Sequence, residues 1–125
     1  MTRFFSLAAV NVGKIERARW RERRGWFSAE ERDAAAGRAK PAEMLAARLA
    51  AKRALVRLLA ASGCAVSRGF FSRISVVNRA SGRPYFSFAD AHAKAFLHRH
   101  ACGVQVSLTH TRKTGFALVT LELKA

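Results

Sequence analysis

Apolar residues recur at three- and four-residue intervals through residues 45–60, LAARLAAKRALVRLLA, and this period predicts a long amphipathic helix. Cations interrupt its apolar side: Arg48 and Lys52 fall inside the apolar arc. Arg53 and Arg57 lie at the edge of that arc. Like charges four residues apart repel by roughly 0.2–0.5 kcal/mol, and buried cations need a counter-charge. The pattern predicts a bound anion, such as a phosphate group, beside Arg48 and Lys52; the alternative is that both side chains extend along the apolar surface to reach water.

The rest of the chain shows strand and helix patterns in a mixed order. The apolar start lacks a convincing signal-peptide cleavage site, so a first strand is expected there. This order of elements predicts an α+β fold with an antiparallel sheet and one long central helix, in a single domain over residues 1–125. The first half is predicted to contain a strand at 4–12, a helix at 14–26, a helix that a Ser28–Glu31 capping box opens and Gly37 ends, and the long helix. The second half is predicted to contain two short strands within 73–88, a helix at 88–102 and two strands within 103–125.

Charge narrows the class of partner. The chain has 23 Lys and Arg against eight Asp and Glu, a formal net charge of +15, so an acidic partner is expected. No apolar run reaches the roughly 18 residues of a membrane span, and no recognised nucleic-acid-binding motif accompanies the charge. Two cysteines without a CxxC motif predict no disulfide framework and a reduced, cytoplasmic protein.

Arginines repeat through the segment 14–26, KIERARWRERRGW. On the predicted helix, Arg17, Arg21 and Arg24 share one face with Trp20 beside it. A solvated charged surface is the simplest interpretation of such a run. The charge excess of the whole chain favours a docking surface for an acidic helix or a phosphate backbone.

A further group of polar side chains lies where a predicted strand ends. Alternation through residues 104–110 leaves Thr109, His110 and Thr111 at the strand end, with two cations following. Hydroxyl, imidazole and cationic donors suit phosphate oxygens. The alternative is an ordinary polar turn.

No metal site is predicted from the residue pattern. His98 and His100 are two residues apart in a predicted helix, which places them on opposite sides. The sequence also contains no Gly-rich phosphate loop, nucleophile elbow or paired-carboxylate motif.

Four segments between residues 27 and 122 resemble, in the same order, motifs of the holo-(acyl carrier protein) synthase family of 4′-phosphopantetheinyl transferases. FSAEER is similar to the family's Phe-Thr-Glu-Glu-Glu segment, and MLAARLAAKRAL to its helix with Gly-Arg-Phe-Ala-Ala-Lys-Glu-Ala. SGRPYFSF is similar to its Gly-Arg-Pro-Tyr turn and strand, and VSLTHTRKTGFALVTLE to its Val-Ser-Leu-Ser-His-Thr strand pair. The resemblance covers nearly the whole chain.

The resemblance implies the fold and the reaction of that family. Its members use Mg²⁺ to transfer the phosphopantetheine arm of coenzyme A to a serine of an acidic acyl carrier protein, and they commonly form trimers with sites at the subunit interfaces. Coenzyme A would then be the anion. The resemblance implies a coenzyme site at Arg48, Pro84, His110 and Thr111, which Lys52 joins by its place in the apolar arc. Arg17 matches an arginine on the family's carrier-docking helix, and Arg21 and Arg24 extend that face.

Two departures from the family pattern affect the metal. Asn11 stands where the family has a metal-binding Asp, and Arg53 stands where it has a metal-binding Glu. Gly13 occupies a third position that is acidic in some relatives. Mg²⁺ requires hard anionic oxygens, so the sequence predicts no Mg²⁺ at the usual family position and an impaired or lost Mg²⁺-dependent activity.

Three functions follow from these observations. The first is a transferase that works without the usual metal, with Arg53 near the pyrophosphate. The second is a member without turnover, which acts as a carrier-binding partner or as an inactive subunit beside an active paralogue. The oligomer implied is a homotrimer or a hetero-oligomer with that paralogue. The third is a basic nucleic-acid-binding module, which charge alone supports.

Overall fold

The computed structural model describes residues 2–67 and 69–124. Within these residues one strand is followed by three helices, a pair of strands, a helix and a second pair of strands. Short 3-10 segments lie at Trp20–Glu22 and Phe70–Arg73. This confirms the predicted α+β class and the long central helix. The elements are β1 (Thr2–Asn11), α1 (Val12–Arg17), α2 (Ala29–Ala36), α3 (Pro41–Ala61), β2 (Ile74–Asn78), β3 (Pro84–Phe88), α4 (Ala91–His100), β4 (Ala101–His110) and β5 (Thr114–Leu123).

The larger sheet is antiparallel with strand order β1–β5–β4, and its inner face packs on α3. Alternate residues of β5, namely Ala117, Val119 and Leu121, are buried on that face. Gly115 permits the close approach at one end, because a Cβ there would lie 2.3 Å from the backbone nitrogen of Ala47. The second sheet is the antiparallel hairpin of β2 and β3. Helix α3 is thus enclosed, which is why its apolar arc is broad.

The outer face of β1 and β5 is apolar yet exposed. Phe5 and Leu7 are 70% and 67% exposed, and Phe116 and Leu118 are also exposed. Leu7 is the register partner of Leu118, so these side chains are neighbours on one surface, called here the sheet face. Exposed apolar patches of this kind mark interaction surfaces. None of the described helices combines the length and the apolarity that crossing a bilayer requires.

The predicted helix over residues 14–26 is wrong in its extent. Helix α1 ends at Arg17, and Arg19 adopts a left-handed conformation with φ of 52° before the 3-10 turn. Both Ile15 and Trp20 are buried. In one straight helix, side chains five residues apart point about 140° away from each other around the axis. Such a helix would not direct both Ile15 and Trp20 at the same core. The break buries both, and Arg17, Arg21 and Arg24 therefore do not share one helix face.

Candidate functional site

A cavity of about 670 Å³ opens between α3, the β2–β3 turn and β4. Four arginines line it: Arg38, Arg48, Arg79 and Arg83. Among the described residues that line the cavity there is no Asp or Glu. A concave surface with several cations and no carboxylate concentrates positive potential, which favours a ligand with more than one phosphate group.

Arg48 forms the buried wall of the cavity. Only 7% of the residue is exposed. Its Nε donates to the carbonyl of Val76 at 3.2 Å, and its Nη1 lies 3.5 Å from the carbonyl of Met44. Burial lowers the pKa of Arg48, Glu31 opposes that shift, and the nearby Arg38 adds to it. A bound anion would relieve the repulsion between the two guanidinium groups.

The β2–β3 turn supplies the opposite wall. The amide of Arg79 donates to the carbonyl of Arg83 at 2.8 Å, and the amide of Gly82 donates to the carbonyl of Arg79 at 2.8 Å. Gly82 has a φ of 89°, which favours glycine. The guanidinium of Arg79 lies 4.3 Å from the ring centre of Tyr85, a cation–π contact that restrains it. Pro84, expected at the coenzyme, follows this turn and lines the cavity.

His110 and Thr111 end the neighbouring strand but differ in position. His110 lines the cavity, and its Nδ1 lies 3.3 Å from Oε1 of Glu43. Thr111 is not among the described residues lining the cavity. Its Oγ1 accepts from the amides of Lys113 and Thr114, each at 3.1 Å, and so shapes the β4–β5 turn. The structure therefore brings Arg48, Pro84 and His110 together and leaves Thr111 at the turn beside them.

Lys52 lies outside the cavity, which corrects its assignment to the anion site. Its side chain is fully buried and ion-paired with Glu31, and its ammonium also donates to the carbonyls of Trp26 at 3.2 Å and Phe71 at 2.6 Å. Burial lowers the pKa of Lys52, while Glu31 opposes the shift. The counter-charge that the helix pattern required is thus a carboxylate of α2.

Glu31 also connects the elements around this ion pair. Its carboxylate accepts from the amides of Ser28 and Val76, each at 3.0 Å. The first bond completes the capping box, whose sequence prediction is confirmed. The pair therefore joins α2, α3 and β2 behind the cavity wall.

Aromatic rings organise the basic segment, here residues 14–24. The guanidinium of Arg21 lies 4.7 Å from the ring centre of Trp20, and that of Arg23 lies 5.1 Å from the ring centre of Trp26. Arg17, Arg21 and Arg24 are all exposed. These rings restrain part of a cationic surface even though the helix is broken.

The residues at the family's metal position do not fit Mg²⁺. Asn11 caps α1, and its Oδ1 accepts from the amide of Gly13 at 2.7 Å. The guanidinium of Arg17 folds over Gly13, because a Cβ on that glycine would lie 2.9 Å from Arg17 Nη1. Arg53 brings a further cation from α3. The described part of the chain contains no group of three His, Cys, Asp or Glu side chains that could hold a metal ion.

Arg38, Arg79 and Arg83 were not identified from the sequence. Arg38 lies in the short connection between α2 and α3, where no pattern marks it. Arg83 directly precedes Pro84 in the segment that resembles the family's Gly-Arg-Pro-Tyr turn, and this position is the signal that could have found it. Arg79 lies at the other end of the same turn. Their convergence depends on how the hairpin packs against α3 and β4.

Fold and cavity define a small α+β protein with an arginine-lined cavity. No protein-family model and no curated protein sequence matches the chain. Several solved structures do match the chain. The ACPS–CoA complex of Chronobacterium ammoniagenes superposes with a TM-score of 0.80 at 21% identity, over 100% of both chains. The acyl carrier protein synthase of Mycobacterium tuberculosis has a TM-score of 0.73 at 28% identity, over 96% of both chains.

A third solved relative carries a ligand. The holo-(acyl-carrier-protein) synthase of Bacillus anthracis, in complex with CoA (3′,5′-ADP), has a TM-score of 0.70 at 25% identity, over 96% of both chains. The chain shares its fold with these holo-(acyl carrier protein) synthases over nearly its whole length, and its sequence motifs resemble theirs in the same order.

Proposed function

We propose that this protein binds coenzyme A in the arginine-lined cavity and docks an acidic acyl carrier protein, in a variant of the family reaction that has lost its usual Mg²⁺ dependence. The observation that carries the proposal is the convergence of four arginines with Pro84 and His110 on one cavity. Coenzyme A presents a diphosphate and a separate 3′-phosphate, so two anionic groups would meet cations on opposite walls. Solved relatives with CoA bound support this ligand class.

Replacing Arg48 with Ala is expected to weaken coenzyme A binding by roughly tenfold to a hundredfold, because a hydrogen bond to a charged group contributes about 1.5–3 kcal/mol. Isothermal titration calorimetry measures this directly. Arg99→Ala is the matched control, since Arg99 is exposed on α4 and does not line the cavity. Absence of coenzyme A binding by the parent chain, with or without carrier, would leave a pure interaction protein as the better description.

We place the carrier at the basic segment. Its exposed Arg17, Arg21 and Arg24 provide positive charge, and Trp20 holds one guanidinium in place. An acidic helix would meet this surface with complementary potential, which accelerates association and fixes orientation. Because the helix is broken, the three arginines would contact the carrier from two short elements and the loop that follows them.

Reversing Arg17 and Arg21 to Glu is expected to weaken carrier binding at least about tenfold and to flatten its salt dependence. The control reverses Lys94 and Arg99 on α4, which changes net charge equally at an exposed surface elsewhere. Binding measured over a salt series separates the two variants. Equal binding by the parent and the Arg17/Arg21 variant would place the docking surface elsewhere, and tighter binding of duplex DNA than of any carrier would favour the nucleic-acid alternative.

The sheet face supports an oligomer, proposed as a homotrimer. Phe5 and Leu7 are too exposed to stabilise a lone chain, whereas a subunit interface would bury them. A paralogue could cover the same surface and supply acidic ligands that Asn11 and Arg53 lack. Sedimentation of the isolated chain distinguishes the homotrimer from a subunit that needs a partner.

A non-catalytic carrier-binding subunit is the second candidate function. The observation in its favour is local: Asn11 is engaged as a helix cap and Arg17 covers Gly13 beside it. Such a protein would bind coenzyme A and carrier without transferring the arm. Product analysis of an apo carrier discriminates it from a metal-independent transferase.

A further inference from the structure

Arg32 carries a buried donor that has no acceptor. It lies in the first turn of α2, where its amide donates to the carbonyl of Ser28 at 3.0 Å. Its side-chain Nε is shielded from water and has no hydrogen-bond partner among the described residues. Buried polar groups are nearly always hydrogen-bonded, because an unpaired donor costs free energy on folding. The isolated chain therefore bears a cost at Arg32 that its own fold does not offset.

The side chain of Arg32 reaches the basic segment. Helix side chains lean towards the N-terminus of their helix, and Nη1 of Arg32 lies 3.4 Å from the carbonyl oxygen of Arg21, a long hydrogen bond. The segment itself is held by Arg23, whose Nε donates to the carbonyl of Ala18 at 2.8 Å. Arg32 thus adds a cation from α2 to the surface that Arg17, Arg21 and Arg24 provide.

The chain supplies no carboxylate to neutralise Arg32. None of the ion pairs between described residues includes it. Of its two acidic neighbours in sequence, Glu31 is paired with Lys52 and Asp33 is exposed. Arg32 is half-buried, so the outer part of its guanidinium meets solvent while Nε does not. A partly desolvated cation gains more from a carboxylate than a fully hydrated cation does.

We infer that the acidic carrier places one of its carboxylates on Arg32, so that its contact surface extends from the basic segment onto α2. This contact rests on the proposed docking of a carrier. The planar fork of an arginine can donate two parallel hydrogen bonds to one carboxylate. Docking would therefore give the guanidinium the acceptor that it lacks in the isolated chain, and this sets Arg32 apart from the fully exposed arginines.

The mixed charge around Arg32 favours an acidic protein over a nucleic acid. Glu22 follows Arg21 in the 3-10 turn, and Asp33 follows Arg32 on α2; both acids are exposed. A folded partner can place its carboxylates away from these acids. The evenly spaced phosphates of a duplex would lie against them and be repelled.

Replacing Arg32 with Met separates binding from folding. Methionine keeps a long unbranched side chain and has no donor, so the urea midpoint of unfolding should stay the same or rise. Binding of a purified apo acyl carrier protein, measured by calorimetry, should weaken at least about tenfold. The control is Arg99→Met, which removes the same charge from an exposed position on α4 and should leave carrier binding within about twofold.

Substitutions in the carrier identify the group that Arg32 binds. Each Asp or Glu on the carrier surface is changed singly to its amide, and binding to the parent chain and to Arg32→Met is compared. One of these changes should weaken binding to the parent at least about tenfold, but weaken binding to Arg32→Met by less than about twofold, because the contact is already lost there.

The contact is supported by weaker carrier binding at an undiminished urea midpoint, together with one carrier carboxylate that shows this coupling. Unchanged carrier binding, a loss of binding that accompanies a lower midpoint, or no coupled carboxylate overturns it. Arg32→Met that weakens binding of duplex DNA and leaves carrier binding intact overturns it in favour of a phosphate backbone. A parent chain that binds no carrier, or an Arg17/Arg21 reversal without effect, would instead reject the proposed docking itself.

Discussion

Replacing Glu31 with Gln is expected to lower the free energy of unfolding by about 3–5 kcal/mol at neutral pH, because it leaves the fully buried Lys52 without its counter-charge. Glutamine keeps the size of the side chain, so the loss is electrostatic and not a cavity effect. Urea unfolding followed by tryptophan fluorescence measures it. The matched control is Glu30→Gln, one residue earlier on α2 and exposed, where a change within about 0.5 kcal/mol is expected.

The loss should also depend on pH with a definite sign. Burial already lowers the pKa of Lys52, and removing Glu31 takes away the influence that opposes this shift. Between the lowered folded pKa and the ordinary lysine value of about 10.4, the unfolded chain binds more protons than the folded chain, so stability rises with pH. The deficit of Glu31→Gln should therefore shrink as pH is raised from 7 towards about 10. A loss below about 1 kcal/mol, or one that does not change with pH relative to Glu30→Gln, would contradict this.

Restoring acids at the family's metal position should install Mg²⁺ dependence. In the double variant Asn11→Asp with Arg53→Glu, two carboxylates replace an amide and a cation. A unit charge about 4 Å from another interacts by roughly 4 kcal/mol at an effective dielectric of 20, so removing Arg53 relieves a large repulsion of the ion. We expect Mg²⁺ binding by calorimetry and a transfer rate that rises with Mg²⁺ and falls with chelator.

The single variants separate the two contributions. Arg53→Glu alone should do less than the double variant, because one carboxylate holds a strongly hydrated ion poorly. The Asn11→Asp change keeps the helix cap, since Asp also accepts from the amide of Gly13. If the double variant binds no Mg²⁺, either Arg17 over Gly13 blocks the position or a neighbouring subunit is needed to complete it. Arg17→Ala in the same background discriminates these two causes.

Local patterns predicted much of the fold. The period of residues 45–60 identified α3, and the Ser28–Glu31 spacing identified the start of α2, because both signals depend on neighbours within one or two turns. The end of α1 escaped prediction. Its cause is the burial of Trp20 against the same core as Ile15, which is a property of the tertiary structure.

Less of the site than of the fold could be predicted from the sequence. The counter-charge of Lys52 is Glu31, 21 residues away, and nothing in either segment specifies that pairing. Glu43 was overlooked for the same reason, since its contact with His110 joins the start of α3 to the end of β4. Arg48 and His110 were named because they stand in family motifs. The family motifs give no indication of Arg38, whose role depends on the shape of the cavity.

Our central proposal is that this protein works without the usual metal of the family that it resembles. The most direct measurement is mass spectrometry of an apo carrier after incubation with coenzyme A and the parent chain, with Mg²⁺ in one sample and chelator in the other. We predict that the carrier gains the phosphopantetheine arm at the same slow rate in both samples. Transfer that requires Mg²⁺ and stops with chelator would contradict the account, and would mean that ligands from a neighbouring subunit complete a metal site.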